Sequence, residues 1–213
     1  MAQRPKEHVR ERIVRAAASL FADAGFEATT MASVAARAKT SVGNVYKYFD
    51  GKDALFAAVL PATFASEIRA MTRARVEALG DVRDLRTLAP SSRYHVLAGE
   101  LLDRCLANRE RVVILLGRAH GTPFEAFAAD FAERLVAWAL AYARRAWPEA
   151  RASRGMRFAL RRIYLGYLAA VAEAFAAFRD EERIRDAVSH LTAHHQGGLK
   201  NLFEVASQRR VAR

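Results

Sequence analysis

The sequence lacks the elements that define several protein classes. It has 213 residues and one cysteine, Cys105, which excludes a disulfide framework and a CxxC metal site and is typical of a reducing compartment. Only 5 Pro and 11 Gly are present, so collagen-like and linker-like compositions are excluded. The longest charge-free apolar stretch, residues 163–172, is far shorter than the ~18 residues that cross a bilayer. The first 21 residues contain no uninterrupted apolar segment of the kind that signal peptides carry. We therefore expect a soluble, cytoplasmic protein.

The composition favours a packed core and an anionic partner. Hydrophobic residues make up 52% of the chain, which is ample for one or two globular domains at about 150 residues each. The formal net charge is +11, and such a balance favours nucleic acid or a membrane surface as partner. Residues 1–55 contain 9 Lys/Arg and 6 Asp/Glu, and residues 56–213 contain 25 and 17. Because this excess is diffuse, charge alone is a weak argument for DNA binding.

The hydrophobic pattern predicts an all-α protein. Residues 13–21 place an apolar stripe at helical spacing, and Gly25 follows it in the position of a left-handed residue that ends a helix. Thr30 is the predicted N-cap of a second helix that stops near residues 38–39, and Ser41 that of a third helix reaching about residue 48. Residues 50–53 are expected to cap a fourth helix.

Further along the chain, Pro61 should kink or end the fourth helix, and residues 80–92 have the composition of a loop. Thr122 followed by Pro123 predicts the start of a long helix. We expect the C-terminal residues 207–213 to be frayed. The predicted helices after the loop span residues 92–107, 109–118, 122–146, 155–178 and 181–206.

Three short helices within about the first 50 residues, with a turn of about three residues between the second and third, suggest a helix-turn-helix. Val45 and Phe49 should anchor the third helix inward. Its small and polar residues would then face the major groove, with Gly43 allowing close approach to phosphate. These outward residues are Gly43, Asn44, Tyr46, Lys47 and Tyr48. On spacing alone, a three-helix subdomain with an ordinary solvated face remains an alternative.

From Ile13 to about Leu60 the sequence resembles the TetR family of bacterial transcriptional regulators. The resemblance rests on many residues at fixed offsets: Ala16-Ala17, Leu20-Phe21, Gly25-Phe26, Thr29-Thr30, Val34-Ala35, Ala38, Ser41, Gly43, Val45-Tyr46, Tyr48-Phe49, Lys52 and Leu55-Phe56. It implies a helix-turn-helix DNA-binding domain, here residues 1–52, and a larger helical domain for effector binding and dimerisation, here residues 53–213. The second domain fits by length and helical pattern only.

The resemblance also implies which residues contact DNA. They are Thr30, Ser41, Val42, Gly43, Asn44, Tyr46, Lys47, Tyr48 and Lys52. The chain departs from the family where Lys39 and Thr40 replace the usual Gly and Val of the turn, and where Val42 replaces a frequent Lys. Because these changes remove one phosphate contact and add methyl groups, we expect a different operator preference rather than loss of binding. Lys47 and Lys52 are predicted to contact phosphates. Loss of either contact should lower the slope of log K against log salt concentration by ~0.9.

Apolar residues on the last two predicted helices recur at steps of three and four. They form two seams suited to a four-helix bundle across a twofold axis, and the family resemblance implies the same homodimer. A purely intramolecular core is the alternative. The predicted interface residues are Tyr164, Leu168, Val171, Phe175, Ile184, Val188, Leu191, His195, Gly198 and Leu202.

The resemblance implies an effector pocket in the larger domain, where aromatic residues are frequent. Tyr94, Phe127, Trp138 and Tyr167 are the residues predicted to line it, although most aromatics there should be plain core. The composition of this region suggests a hydrophobic or aromatic effector of moderate size.

No pattern in the sequence indicates catalysis, a metal or a cofactor. His190 and His194 have metal-capable spacing, but no Glu or Cys joins them, and Cys105 is expected to be a small core residue with redox sensing left open. We therefore expect no enzyme and no cofactor, but a ligand-responsive repressor that binds a near-palindromic operator as a homodimer. The alternatives are a DNA-binding scaffold of the same fold controlled by a protein partner or DNA cue, and a basic helical protein on anionic membranes.

Overall fold

The computed structural model describes residues 3–208, and within them the chain is all-α, as the sequence predicts. Ten α-helices and one short 3-10 helix account for the regular structure of these residues. The bounds are α1 Gln3–Ala28, α2 Met31–Arg37, α3 Val42–Tyr46, α4 Lys52–Val59, α5 Ala62–Glu77, η1 Leu85–Thr87, α6 Arg93–Leu106, α7 Arg109–Gly117, α8 Phe127–Ala146, α9 Arg154–Ala177 and α10 Glu181–Gln208. Of the C-terminal residues expected to fray, 209–213 lie outside the described residues, and 207–208 are the helical end of α10.

The first helix is interrupted at the predicted glycine, and a short helical segment follows it. Gly25 has φ 84° and ψ 171°, and α1 continues past it to Ala28. The positive φ is as predicted, but ψ is extended rather than left-handed helical, so the chain re-enters a final helical turn. Thr29 Oγ1 donates to the Gly25 carbonyl at 2.8 Å, which satisfies an acceptor that the bend leaves free.

The caps of the second and third helices agree with the sequence. Thr30 Oγ1 accepts from the Ser33 amide at 3.0 Å, and the Thr30 amide donates to Ser33 Oγ at 3.1 Å, which is a reciprocal capping box. Ser41 Oγ accepts from the Asn44 amide at 3.1 Å and begins α3. Between the two helices Lys39 has φ 51°, the left-handed conformation for which the family uses glycine.

The fourth helix begins within the predicted residues 50–53, but without the side-chain cap that was expected there. The N-cap of α4 is Gly51, and no side chain makes a capping hydrogen bond there. Pro61 ends this helix, and α5 begins at the next residue. Together α4 and α5 span Lys52–Glu77, which by length and hydropathy alone resembles a membrane-crossing segment. The break at Pro61 and the burial of apolar residues from both helices identify it instead as part of the protein core.

The start of the long central helix also differs from the prediction. Helix α8 begins at Phe127 with Ala126 as N-cap. Thr122 lies in a preceding turn, where its hydroxyl donates to the Ala119 carbonyl at 2.6 Å and accepts from the Phe124 amide at 3.1 Å. The capping chemistry expected of Thr122 is therefore used to close a turn.

We call α1–α4 the head and α5–α10 the body. Helix α7 lies at the centre of the body, since Val112–Leu115 are all buried and the helix packs on α1, α8 and α9. Helix α10 packs on α9 and α6, while α5 packs on α6 and α8. One hydrophobic core runs through head and body, and Phe56 of α4 lies 6.4 Å from Phe124 of the body, measured between ring centroids.

Candidate nucleic-acid interface

Helix α3 presents a short exposed face on a firmly anchored base. Val45 is 0% exposed and Phe49, just beyond the helix, is 5% exposed, as the sequence predicts. On the same short helix Val42 is 40% and Tyr46 is 50% exposed. An ideal Cβ on Gly43 would meet nothing within 4 Å, so this glycine leaves open space beside the helix backbone. The geometry suits a surface that a partner approaches closely.

The two caps lie exposed on the same part of the head. Thr30 and Ser41 each use one hydroxyl lone pair to accept from a backbone amide, at 3.0 Å and 3.1 Å. A hydroxyl also carries one hydrogen that can be donated. Both side chains can therefore hold their helices and still donate to a phosphate oxygen.

Asn44 is restrained by Thr40, a residue of the turn that was not among the predicted DNA contacts. Its Nδ2 donates to Thr40 Oγ1 at 2.7 Å, so one amide hydrogen is occupied while the Oδ1 acceptor has no such partner among the described residues. The signal for this contact was the spacing of four residues between two polar side chains. Thr40 therefore orients the amide predicted to contact a base edge.

The two lysines predicted to contact phosphate have different surroundings. Lys47 is exposed. Lys52 Nζ donates to the Phe26 carbonyl at 2.8 Å and to the Glu27 carbonyl at 3.3 Å, and it lies 4.2 Å from the centroid of the Phe26 ring. Two of its three donors thus bind the end of α1, where the helix dipole favours a cation. Tyr48, in contrast, is half-buried against the core.

Comparison with known proteins agrees with this geometry. Residues 13–59 match the sequence model of bacterial regulatory proteins of the tetR family. Within these residues the chain has the helix-turn-helix sequence of that family. The matched residues include α2, the turn, α3 and all of α4.

Solved structures similar to the chain include Salmonella enterica GusR, at 24% identity and a TM-score of 0.44 over 96% of this chain and 98% of that one. A TetR-family transcriptional regulator from Pectobacterium atrosepticum is 22% identical, with a TM-score of 0.34 over 91% of this chain and 95% of that one. The comparison with curated proteins finds no match.

The four residues predicted to line an effector pocket fall into two groups. Phe127 and Trp138 both flank Phe131, at centroid distances of 5.4 Å and 6.2 Å. Tyr94 and Tyr167 instead contact α10, through Gln196 and Thr192 respectively. A cavity of about 190 Å³ lies elsewhere, lined by Leu140, Ala143, Arg144, Ala150, Arg151, Ala152, Met156, Arg157 and Phe203. That these four aromatics line one effector pocket stays a prediction.

The residues predicted to form the dimer interface fall into a buried group and a more exposed group. Tyr164, Leu168, Phe175 and Ile184 are at most 7% exposed within a single chain, because α9 and α10 pack into the body; for these four the intramolecular alternative is correct. The remaining predicted residues are half-buried or exposed: Val171, Val188, Leu191, His195, Gly198 and Leu202.

The remaining reactive side chains form no evident site. His190 Nε2 lies 3.3 Å from Asp186 Oδ1, and in residues 3–208 no group of three His, Cys, Asp or Glu side chains is placed to hold a metal. Burial raises the pKa of Cys105 to about 12. Since the thiolate is the reactive form, this thiol is unreactive at neutral pH.

Proposed function

We propose that the chain is a non-enzymatic, cytoplasmic repressor that binds a near-palindromic operator as a homodimer and releases it when a small effector binds the body. The observation that carries the DNA-binding part is the exposed face of α3. A valine and a tyrosine that are 40% and 50% exposed stand on a helix that is anchored by the fully buried Val45. Such apolar side chains are exposed to water in the free protein because a partner covers them on binding.

Each element of this face has a counterpart in the major groove. The Val42 methyl groups can contact thymine methyls, and the free Asn44 oxygen can accept from a base edge. The hydroxyls of Thr30 and Ser41, and the Lys47 ammonium, can bind phosphates. We assign the DNA-contacting part to residues 1–52 and the effector and dimer functions to residues 53–213.

The distribution of exposed apolar side chains supports a homodimer. The large exposed hydrophobic residues of the described chain are Val42, Tyr46, Val96, Phe158, Ile163 and Val205. Three of them lie on α9 and α10, where Phe158 is 69% exposed, Ile163 41% and Val205 38%. Two α9–α10 pairs packed across a twofold axis would cover this surface and present two copies of α3 to successive major grooves.

The contact between head and body provides a route for effector control. His120, in the loop before α8, lies with Nδ1 2.6 Å from Glu125 Oε1 and with Nε2 3.8 Å from Glu27 Oε2 at the end of α1. A Cβ on Gly121 would lie 3.0 Å from Glu27 Cγ. Because this loop leads directly into α8, movement of α8 is transmitted to the head.

Selection of bound fragments from random DNA, followed by affinity measurement on the selected site, tests the proposal. Val42→Ala should weaken binding about tenfold or more, since each of two protomers loses an apolar base contact. Val96→Ala is the matched control, because Val96 is 49% exposed on α6 and far from α3 in sequence; it should bind like the unmodified chain. Failure to enrich any sequence in dilute buffer would refute the assignment.

Small-molecule control is tested on the selected operator. A low-molecular-weight fraction of cell extract should release the complex if an effector exists. Release only by a macromolecular fraction would favour the scaffold controlled by a protein partner.

A further inference from the structure

Three helices of the body, α5, α6 and α10, meet at the phenol of Tyr94, which is 5% exposed. Arg75 of α5 donates from Nη2 to the Tyr94 hydroxyl at 2.7 Å, and its guanidinium carbon lies 5.0 Å from the Tyr94 ring centroid. The Gln196 amide of α10 donates to the same oxygen. One phenol oxygen thus accepts from two side chains that come from different helices.

Aromatic rings from α9 and α10 complete the cluster. The His195 ring stacks on Tyr167 with 4.3 Å between centroids and meets Tyr164 edge-on at 4.9 Å. Tyr167 shares a hydrogen bond of 2.8 Å with Thr192. We name Arg75, Tyr94, Tyr164, Tyr167, His195 and Gln196 the Arg75 cluster. Of these, Arg75, Tyr167, His195 and Gln196 are only half-buried, so solvent reaches the cluster.

Arg75 has no counter-ion among the described residues. No carboxylate oxygen of residues 3–208 lies within 4.0 Å of its guanidinium, and its Nε is inaccessible to solvent without a hydrogen-bond partner. Arg73 and Arg104 differ in having a counter-ion, Glu77 and Glu67 respectively, each at 2.7 Å. The Nε atoms of Arg69 and Arg104 are also buried without a partner, so the feature specific to Arg75 is its place beside the Tyr94 hydroxyl and the aromatic rings. A partly buried cation without an anion is costly to a fold, and such a cost is commonly retained where a ligand supplies the missing charge.

We propose that the Arg75 cluster is the effector site and that the effector is a small aromatic carboxylate. This inference rests on the proposed control of DNA binding by a small molecule. The carboxylate would accept from the Arg75 guanidinium, including its free Nε–H, and from Gln196. The aromatic part would contact the rings of Tyr164, Tyr167 and His195.

The charge of the cluster matches a monoanion. Burial, together with Arg75 and His194, lowers the pKa of His195 to about 4, so this ring is neutral at physiological pH. Burial also raises the pKa of Tyr164 well above its ordinary value, so the phenol is uncharged. Arg75 is then the one formal cation of the cluster.

Binding at this cluster has a direct connection to the head. In the structure the Tyr94 hydroxyl of α6 accepts from Arg75 of α5 and from Gln196 of α10, and so links the three helices. A carboxylate that accepts these hydrogen bonds competes with that hydroxyl. Helix α5 begins immediately after Pro61 at the end of α4, and α4 packs on α1. Displacement of α5 therefore moves α4, to which it is directly joined, and through α4 it moves α1.

Isothermal titration calorimetry with benzoate and its neutral analogue benzamide, at constant ionic strength, tests the site. We expect benzoate to bind the full chain at least tenfold more tightly than benzamide. Arg75→Met should weaken benzoate about 10- to 100-fold, as expected for loss of hydrogen bonds to a charge. Arg73→Met, an exposed arginine on the same helix, is the control and should leave the affinity unchanged. Equal benzoate affinity in the two variants, equal affinity for benzamide, or no benzoate binding would overturn the proposal.

Two further measurements keep the outcome clear if Arg75→Met alters the fold. Tyr94→Phe keeps the ring but frees Arg75 and Gln196 from the hydroxyl, so it should tighten benzoate binding; weaker binding would contradict the competition described above. Operator binding of each variant is measured in parallel. If benzoate does not bind as expected, or the variants do not change its affinity as expected, while operator binding is intact, this site alone is refuted. Absence of sequence-specific DNA binding refutes the proposed function.

Discussion

Lys52 and Lys47 provide a direct test of how the head is held together. The sequence predicts both as phosphate contacts, but the structure places Lys52 Nζ on the Phe26 and Glu27 carbonyls, at 2.8 Å and 3.3 Å, while Lys47 is exposed. We therefore expect Lys52→Ala to reduce the free energy of unfolding and Lys47→Ala to reduce DNA binding.

The magnitude follows from the contacts of Lys52. One good hydrogen bond from a charged donor contributes about 1.5–3 kcal/mol, and the ammonium over the Phe26 ring adds about 0.5–1 kcal/mol. Rotamer entropy regained by removing the side chain offsets about 1 kcal/mol. The net loss for Lys52→Ala should be about 2 kcal/mol, or roughly 4–8 °C in Tm for a chain of this size. Lys47→Ala should stay within about 0.5 kcal/mol of the unmodified chain.

Urea unfolding followed by circular dichroism gives the stabilities, and titrations of the selected operator at several salt concentrations give the slopes. Lys47→Ala should lower the slope of log K against log salt by ~0.9, with no change for Lys52→Ala under conditions where it is folded. If Lys52→Ala is as stable as the unmodified chain, or lowers the slope as much as Lys47→Ala, the structural role assigned to this lysine is refuted.

Three other predictions concern separate parts of the molecule. Gly43→Ala, with open space around the new methyl group, should raise stability by about 0.5–1 kcal/mol while weakening operator binding at least tenfold; Gly25→Ala, at φ 84°, should lower stability by about 1–3 kcal/mol. The pKa of His195 is about 4 in the folded chain against an ordinary 6.5, so the unfolded chain binds more protons between these values. Stability should fall by roughly 2–3 kcal/mol as the pH drops through that window, and less in His195→Phe, as measured by urea unfolding at each pH. Phe158→Asp should convert the dimer to a monomer in sedimentation at micromolar concentration, with Val96→Asp as the unaffected control.

Features that depend on local chemistry could be predicted from the sequence. Thr30 and Ser41 cap their helices as expected because the hydroxyl and the amide it binds are three residues apart. Pro61 separates two helices because it lacks an amide hydrogen and restricts the residue before it. Thr122 shows the limit of this reasoning, because its hydroxyl serves a turn as readily as a helix cap.

Features that join distant parts of the chain could not be predicted. The spacing of Tyr164, Leu168 and Phe175 shows that they share one face of a helix, but periodicity does not say whether that face meets the same chain or a second copy. The contact of Lys52 with Phe26 spans 26 residues, and that of Gln196 with Tyr94 spans 102. Both depend on how helices pack, so the residue types gave no sign of the partner.

The packing of head on body limits how an effector can act. Phe56 of the head lies against Phe124 of the body, and separating the two would return apolar surface to water at about 1.5–3 kcal/mol for each fully exposed ring. Coupling between an effector and DNA is ordinarily worth about 1–3 kcal/mol in total. Detachment of the head would therefore require more free energy than an effector supplies. A tilt that moves α4 and α1 together keeps these rings in contact and needs only a small displacement of α5. In the proposed dimer such a tilt changes the distance between the two copies of α3, and it requires less free energy than detachment of the head.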